Sequence, residues 1–263
     1  MNMFFSWLRR RRHRKILAQP FPAAWLSHLE KNVVHYRLLT LQEQAKLRDR
    51  LRIFIAEKEW EGCGGLTMTD EIQVTVAAQA CLLTLALEDD LFDHVQTVIV
   101  YPKGFVVPDR PELAEGGLLL ESEHELLGEA HYRGPVILSW EEVLEDGKEP
   151  GAGKNLVFHE FAHQLDMRNG AIDGTPPLQD QEQARRWHKV MTAEFNRLIK
   201  ASERGRATLL DDYGATDEAE FFAVATECFF DQPVEMARRH KELYALLRDY
   251  YRQDPAERMK DEG

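Results

Sequence analysis

The amino-acid sequence predicts an α+β chain that is mainly helical and carries a small sheet. Three textures support this: apolar residues at near-helical intervals in the first third, two short β-branched runs in the middle, and helical patterns again in the last third. Between Leu39 and Glu57 the positions Leu41, Ala45, Leu47, Leu51, Phe54 and Ile55 recur at that interval. Thr69-Asp70-Glu71 then opens a second helix running to Leu87, with Thr69 as its N-cap. Val95 to Tyr101 contains Val-Ile-Val-Tyr ahead of Pro102, and Pro135 to Trp140 reads Pro-Val-Ile-Leu-Ser-Trp, so both suit short strands. Ser139 and Glu142 have capping-box spacing, which starts a helix there. The stretch from Gly147 to Gly153 reads as a turn into a helix from about Lys154 to Met167, closed by Asn169-Gly170. After a Gly- and Pro-containing loop from Gly170 to Leu178, the residues Ala184, Trp187, Met191, Phe195 and Leu198 mark one face of a long helix. A further helix begins after Thr216, where Asp217 and Glu218 suit its positive end, and a last one runs from Glu235 to about Tyr251.

The 263 residues, 44% of them hydrophobic, suffice for a packed core, and neither an internal repeat nor a Gly/Ser-rich linker divides them. The expected organisation is a basic N-terminal segment, 1–20, followed by a single domain, 21–263. A formal net charge of -12 removes any global electrostatic case for binding nucleic acid and favours a protein partner or a small substrate. The three cysteines, Cys63, Cys81 and Cys228, are widely spaced and lack a C-x-x-C pair; they read as small buried hydrophobes in a reducing compartment. The cations Arg9 to Lys15 follow a short apolar run, the reverse of a secretory signal, and no stretch approaches the ~18 apolar residues of a membrane helix. The expected location is therefore the cytoplasm. The basic cluster reads as a solvated, poorly ordered tail, with contact to a membrane surface or an acidic partner as its alternative use.

The chemistry concentrates in His159-Glu160-Phe161-Ala162-His163. On a helix, residues four apart lie on one face, so both imidazoles reach one ion while Glu160 projects toward the reacting water as general base. Zinc is the natural ion for two nitrogens plus a carboxylate in an open site. Composition alone would place H-E-x-x-H in roughly a few per cent of chains with this many histidines, so context matters. Here Leu156, Val157, Phe158, Phe161, Ala162 and Leu165 supply the apolar faces of a buried helix. A third ligand is required. The extended one-helix pattern fails, because Asp166 stands where Gly is needed and Asn169 where the third His is needed. The segment Tyr213 to Ala223 offers acids at the start of a buried helix; Glu220, flanked by Phe221, Phe222 and Ala223, should be partnered, with Glu218 and Glu227 as rivals.

HEFAHQLD, His159 to Asp166, paired with YGATDEAEFFA, Tyr213 to Ala223, resembles the Mlc titration factor A family over almost the whole chain. At these two segments alone it is more distantly similar to the catalytic domain of anthrax lethal factor. The resemblance implies a zincin-like, gluzincin-type metallopeptidase domain in which His159, His163 and Glu220 bind one zinc ion and Tyr213 faces the substrate. It also implies aminopeptidase-like activity on short peptides, and binding to the Mlc repressor that would link the protein to the glucose phosphotransferase system. The gluzincin pattern often places an acid one turn after the third ligand; here that position is Val224, and Asp166 is the candidate to orient a ligating imidazole.

The implied reaction is peptide hydrolysis, with Glu160 shuttling the proton and Tyr213 donating to the oxyanion. The strand at Val136 to Leu138 is a candidate edge for an extended peptide. The competing reading is a non-catalytic anti-repressor whose zinc site is vestigial or regulatory.

Overall fold

Local capping chemistry starts the helices that frame the core. The structure, a computed structural model, describes residues 3–87, 92–103, 113–114, 118–119, 134–149, 151 and 153–260. Met1 and Asn2 of the basic segment, and positions 150 and 152 of the glycine-containing turn, lie outside the described residues. In chain order the elements are α1 (Met3–Leu17), α2 (Ala23–Asn32), α3 (Val34–Arg37), α4 (Leu41–Glu57), β1 (Glu59–Gly62), α5 (Asp70–Leu83), β2 (Thr97–Tyr101) and the two-residue strands β3 (Leu113–Ala114) and β4 (Leu118–Leu119). Then come β5 (Val136–Ser139), α6 (Trp140–Lys148), α7 (Leu156–Asp166), α8 (Gln181–Ser202), α9 (Glu218–Asp231), α10 (Pro233–Arg239), α11 (Lys241–Tyr251) and α12 (Pro255–Lys260). Thr40 and Glu43 form a complete capping box on α4, and Thr69, Asp180 and Asp217 each accept a backbone N–H at the third helical position of α5, α8 and α9.

Two helices form the centre. From Ile72 to Leu83 nearly every residue of α5 is buried, and from Phe221 to Asp231 every residue of α9 is buried. A helix that is apolar all round belongs inside the domain. Helix α7 packs against both α5 and α9 and also touches β5. Phe161 of α7 stacks edge-on against Phe92, 4.7 Å between ring centroids, and Phe158 lies 5.3 Å from Phe230. The stripe Val157, Phe158, Phe161, Ala162 and Leu165 is fully buried by these neighbours, which fixes the rotation of α7 and hence where its polar residues point.

The main sheet is parallel with strand order β1-β2-β5, pairing Glu59 with Thr97 and Val98 with Val136. In β2 the side chains of Val98 and Val100 go inward, as the alternation of a strand requires. Among the described residues β5 is an edge of this sheet.

The structure departs from the sequence expectations at five places. Strand β1, Glu-Trp-Glu-Gly, has no apolar alternation to announce it; its backbone is recruited by the ladder to β2. Helix α5 ends at Leu83 and not Leu87. Ser139 occupies the N-cap position of α6 without a side-chain bond. The helix expected from Glu235 to Tyr251 is broken at His240, whose backbone leaves the helical region (φ -129°, ψ 55°) and whose Nδ1 meets Glu194 Oε2 of α8 at 2.6 Å. The basic segment forms helix α1, held against α4 by Arg9, Arg12 and His13, and is no disordered tail. Cys81 and Cys228 are buried, Cys63 is partly so, and all three are free thiols.

Candidate metal centre

Helix α7 begins at Asn155, whose Oδ1 accepts the Phe158 N–H at 2.9 Å. Two carboxylates take the neighbouring amides: Asp146 Oδ2 accepts the Leu156 N–H at 2.8 Å, and Glu227 Oε2 accepts the Asn155 N–H at 2.5 Å. Asn155 Nδ2 donates to Gln79 Oε1 of α5 at 2.9 Å, so the start of α7 is tied to both central helices. With the apolar stripe facing the core, His159, Glu160 and His163 project together on the other side, toward the first turn of α9.

There they meet Glu220. His159 Nε2 lies 3.0 Å and His163 Nε2 3.5 Å from Glu220 Oε2, and the two ring nitrogens are 3.2 Å apart. Among the described residues this is the one group of three donors arranged to hold a metal ion. Donor atoms about 2.0–2.1 Å from a tetrahedral ion stand about 3.3–3.4 Å from each other, so the observed triangle fits one small ion with a fourth position left over. The electrostatics agree. Burial pushes the Glu220 carboxyl up, but the two histidines outweigh it and hold the group well below the usual carboxylate range. Burial likewise works against positive charge on His159 and His163, yet Glu220, joined at His159 by Glu227, raises both above the ordinary imidazole value. The focus of the three side chains therefore favours a cation.

The rival acids fall elsewhere. Glu218 is exposed at the first position of α9. Glu227 faces the opposite nitrogen of the imidazole: its Oε1 lies 2.8 Å from His159 Nδ1, the contact that fixes tautomer and ring orientation in metal-binding histidines. It stands seven residues after Glu220, two turns along α9 on the same face, whereas the one-turn position is the apolar Val224. Asp166 does not take that part. Its Oδ2 accepts the Gly174 N–H at 2.8 Å, and burial pushes its carboxyl up to about 6. Gly174 has φ +71°, and a Cβ there would lie 2.2 Å from the Glu218 carbonyl oxygen, so Asp166 anchors the 170–178 loop where it abuts the start of α9.

Tyr213 lies in a 3₁₀ turn, Asp212–Ala215, that packs on α9. Asp211 Oδ1 accepts the Tyr213 N–H at 2.9 Å, and its Oδ2 pairs with Lys154 Nζ at 2.7 Å, linking the turn to the entry of α7. A Cβ on Gly214 would sit 3.1 Å from Val224 Cβ, so the glycine permits the close approach. The Tyr213 ring lies 6.1 Å from that of His159. Burial, then the Glu220 and Asp217 carboxylates, push its phenol above the ordinary value. Glu160 is half-buried beside the histidines; burial raises its carboxyl against their opposing pull. A cleft of about 230 Å³ opens beside His159 and Tyr213, with Glu142, Asp146 and Glu227 on its wall.

The fold brings His159, His163 and Glu220 together with Tyr213 and Glu160 beside them, and places Asp166 apart from them. Asn155 precedes an apolar run, as an N-cap should, and Glu227 repeats Glu220 at a heptad interval; both signals were present. Asp146 reaches Leu156 across the glycine-containing turn and Asp211 reaches the distant Lys154, contacts that no short window of sequence announces.

Comparison with known proteins gives the same direction. Residues 6–252 match the family described as glucose-regulated metallo-peptidase M90. A Synechocystis protein, described as uncharacterized protein slr2042, is 36% identical over 246 residues, covering 93% of this chain and 89% of its own. The Mlc titration factor A of Salmonella agona is 34% identical over 227 residues, 84% of this chain and 83% of its own. That of Klebsiella pneumoniae strain 342 is also 34% identical, over 86% and 84% of the two chains.

Proposed function

Because the chain belongs to the glucose-regulated metallo-peptidase M90 family, we propose that it is a zinc peptidase acting on short peptides from their N-termini. The observation that carries this reading is the convergence of His159 Nε2, His163 Nε2 and Glu220 Oε2 within 3.0–3.5 Å of one another, beside a half-buried Glu160. Two imidazoles and a carboxylate with one open position are the donor set of catalytic zinc, where structural sites are closed and rich in cysteine.

When bound, the ion supplies Lewis acidity, lowering the pKa of water and polarising the scissile carbonyl. The chain's own residues do the rest. Glu160, whose carboxyl is raised by burial, takes the proton of the attacking water and delivers it to the leaving amine. Tyr213, held above the ordinary phenol pKa and so protonated, donates to the oxygen on which negative charge develops. Glu227 holds the His159 ring in place. An extended peptide pairs with the edge of β5.

The relatives named Mlc titration factor A support a second component, binding of the Mlc repressor by this chain, in the cytoplasm. The alternative is that repressor binding is the whole function and the metal site is vestigial or regulatory.

A peptidase assay tests the reading. Short peptides with a free N-terminus are expected to be cleaved, their N-acetylated counterparts to be poor substrates, and a chelator to abolish turnover until zinc is restored. No hydrolysis by a zinc-loaded chain would leave only the binding function. A second measurement isolates the support around the ion: Glu227→Gln is expected to lower zinc affinity about 10–100-fold, the usual cost of losing a partner behind a ligating imidazole, with Tm little changed. Unchanged affinity would make Glu227 a purely structural acid.

A further inference from the structure

The cationic run that opens the chain takes no part in the metal centre, yet the fold sorts its side chains by face. Arg9, Arg12 and His13, with Ile16 a turn further on, form the stripe of α1 that meets the body. Arg9 pairs with Asp93 and lies 3.5 Å from Glu57, Arg12 donates to the Ala56 carbonyl at 2.6 Å, and His13 Nε2 meets Glu57 Oε1 at 2.6 Å. From α4, Arg52 reaches the carbonyls of Ile16, Leu17 and Gln19 and closes the far end of the helix. The opposite stripe points to solvent. Arg10, Arg11, Arg14 and Lys15 are exposed there, and just before them Trp7 is 49% and Leu8 41% exposed, with the Arg11 guanidinium 5.6 Å from the Trp7 ring.

We propose that this outward face of α1 binds the surface of an anionic lipid bilayer. Two features select that partner. The first is charge complementarity: four exposed cations lie within about one and a half turns on a chain whose net charge is -12. The acidic body is repelled by any anionic surface, so attraction must act locally, within the Debye length of about 8–10 Å at physiological salt. Clustered Lys and Arg next to a membrane act in that range. The second is the exposed apolar pair Trp7 and Leu8. A nucleic acid or an acidic peptide satisfies the arginines but offers no apolar layer for adjacent Trp7 and Leu8, whereas the headgroup boundary accepts both together. At 15 residues and with its inner stripe bonded to α4, the helix is too short and too polar to span, and no helix among the described residues is long and apolar enough to cross a membrane. It lies on the surface and brings the body with it. This inference is independent of the metal site.

The test is co-sedimentation of the full-length chain with vesicles. Binding is expected to vesicles of mixed phosphatidylglycerol and phosphatidylcholine, to be absent with pure phosphatidylcholine, and to weaken steeply between 0.1 and 0.5 M salt. Replacing Arg10, Arg11, Arg14 and Lys15 together with Gln should lower the partition about 10²–10³-fold. Trp7→Ser with Leu8→Ser should weaken it at unchanged charge. All six positions are exposed, and circular dichroism checks that the variants remain folded; the lipid and salt dependence of the unaltered chain stands without them. Failure to bind phosphatidylglycerol vesicles, equal binding to both lipids, or binding that survives the fourfold substitution would overturn the proposal. Wild-type binding by the Trp7/Leu8 variant would also overturn it, in favour of simple charge capture by an acidic peptide or nucleic acid.

Discussion

His163→Ala is expected to strip the metal from the chain and to abolish peptidase activity, and Glu220→Ala to do the same. Each change removes one of the three proposed donors, so the loss of affinity should exceed the 10–100-fold that accompanies loss of an outer partner such as Glu227. The geometry adds a reason why the remaining two donors will not compensate. With His163 gone, His159 Nε2 and Glu220 Oε2 stand 3.0 Å apart, a distance suited to a direct imidazolium–carboxylate pair that competes with any ion for the same atoms. Metal content by atomic emission and affinity by competition with a chromophoric chelator provide the readout. Glu218→Ala is the control: its side chain is exposed at the start of α9, and its removal should cost about 1 kcal/mol or less of stability and leave the metal in place. Full zinc occupancy in Glu220→Ala, or loss of zinc in Glu218→Ala, would reverse the ligand assignment.

The second large effect is expected at Glu160. Glu160→Gln keeps the size and half-buried position of the side chain but removes the base, so kcat should fall on the order of 10²–10⁴-fold while zinc content and fold are retained. Tyr213→Phe belongs in the same series, with a loss on the order of 10²-fold in kcat and little change in KM, because the hydrogen bond matters most as charge develops. The pair separates the two functional readings. If the chain acts as a peptidase that also binds Mlc, Glu160→Gln destroys hydrolysis and leaves repressor binding intact. If instead hydrolysis by the wild type is already absent and Glu160→Gln changes nothing measurable, the metal site serves binding alone. Wild-type kcat in Glu160→Gln would remove the glutamate from the mechanism.

What can be read from the sequence follows the range of the interaction that decides it. The caps at Thr69 and Asp217 are bonds between residues three apart, and the one-turn spacing of His159 and His163 is a property of the helix itself, so each is legible in a short window. The α+β class, with α5 and α9 buried along most of their length, is equally local, since composition along a helix states which faces must be buried. The apolar flank of Glu220 marked it as an acid in need of a partner but left Glu218 and Glu227 as rivals, and the resemblance carried by two separated segments supplied the preference for Glu220 and the part of Tyr213. The choice among those three acids belongs to the tertiary structure. The rotation of α9 against α7, set by packed aromatic rings, puts Glu220 at the Nε2 atoms and Glu227, two turns on, behind His159. It also turns Asp166 to the Gly174 amide, brings β1 into the sheet through backbone pairing alone, and ends a helix at His240 for a bond to Glu194 of α8. These outcomes depend on partners tens of residues away, or on backbone groups that every sequence shares, and short-range periodicity carries no information about either.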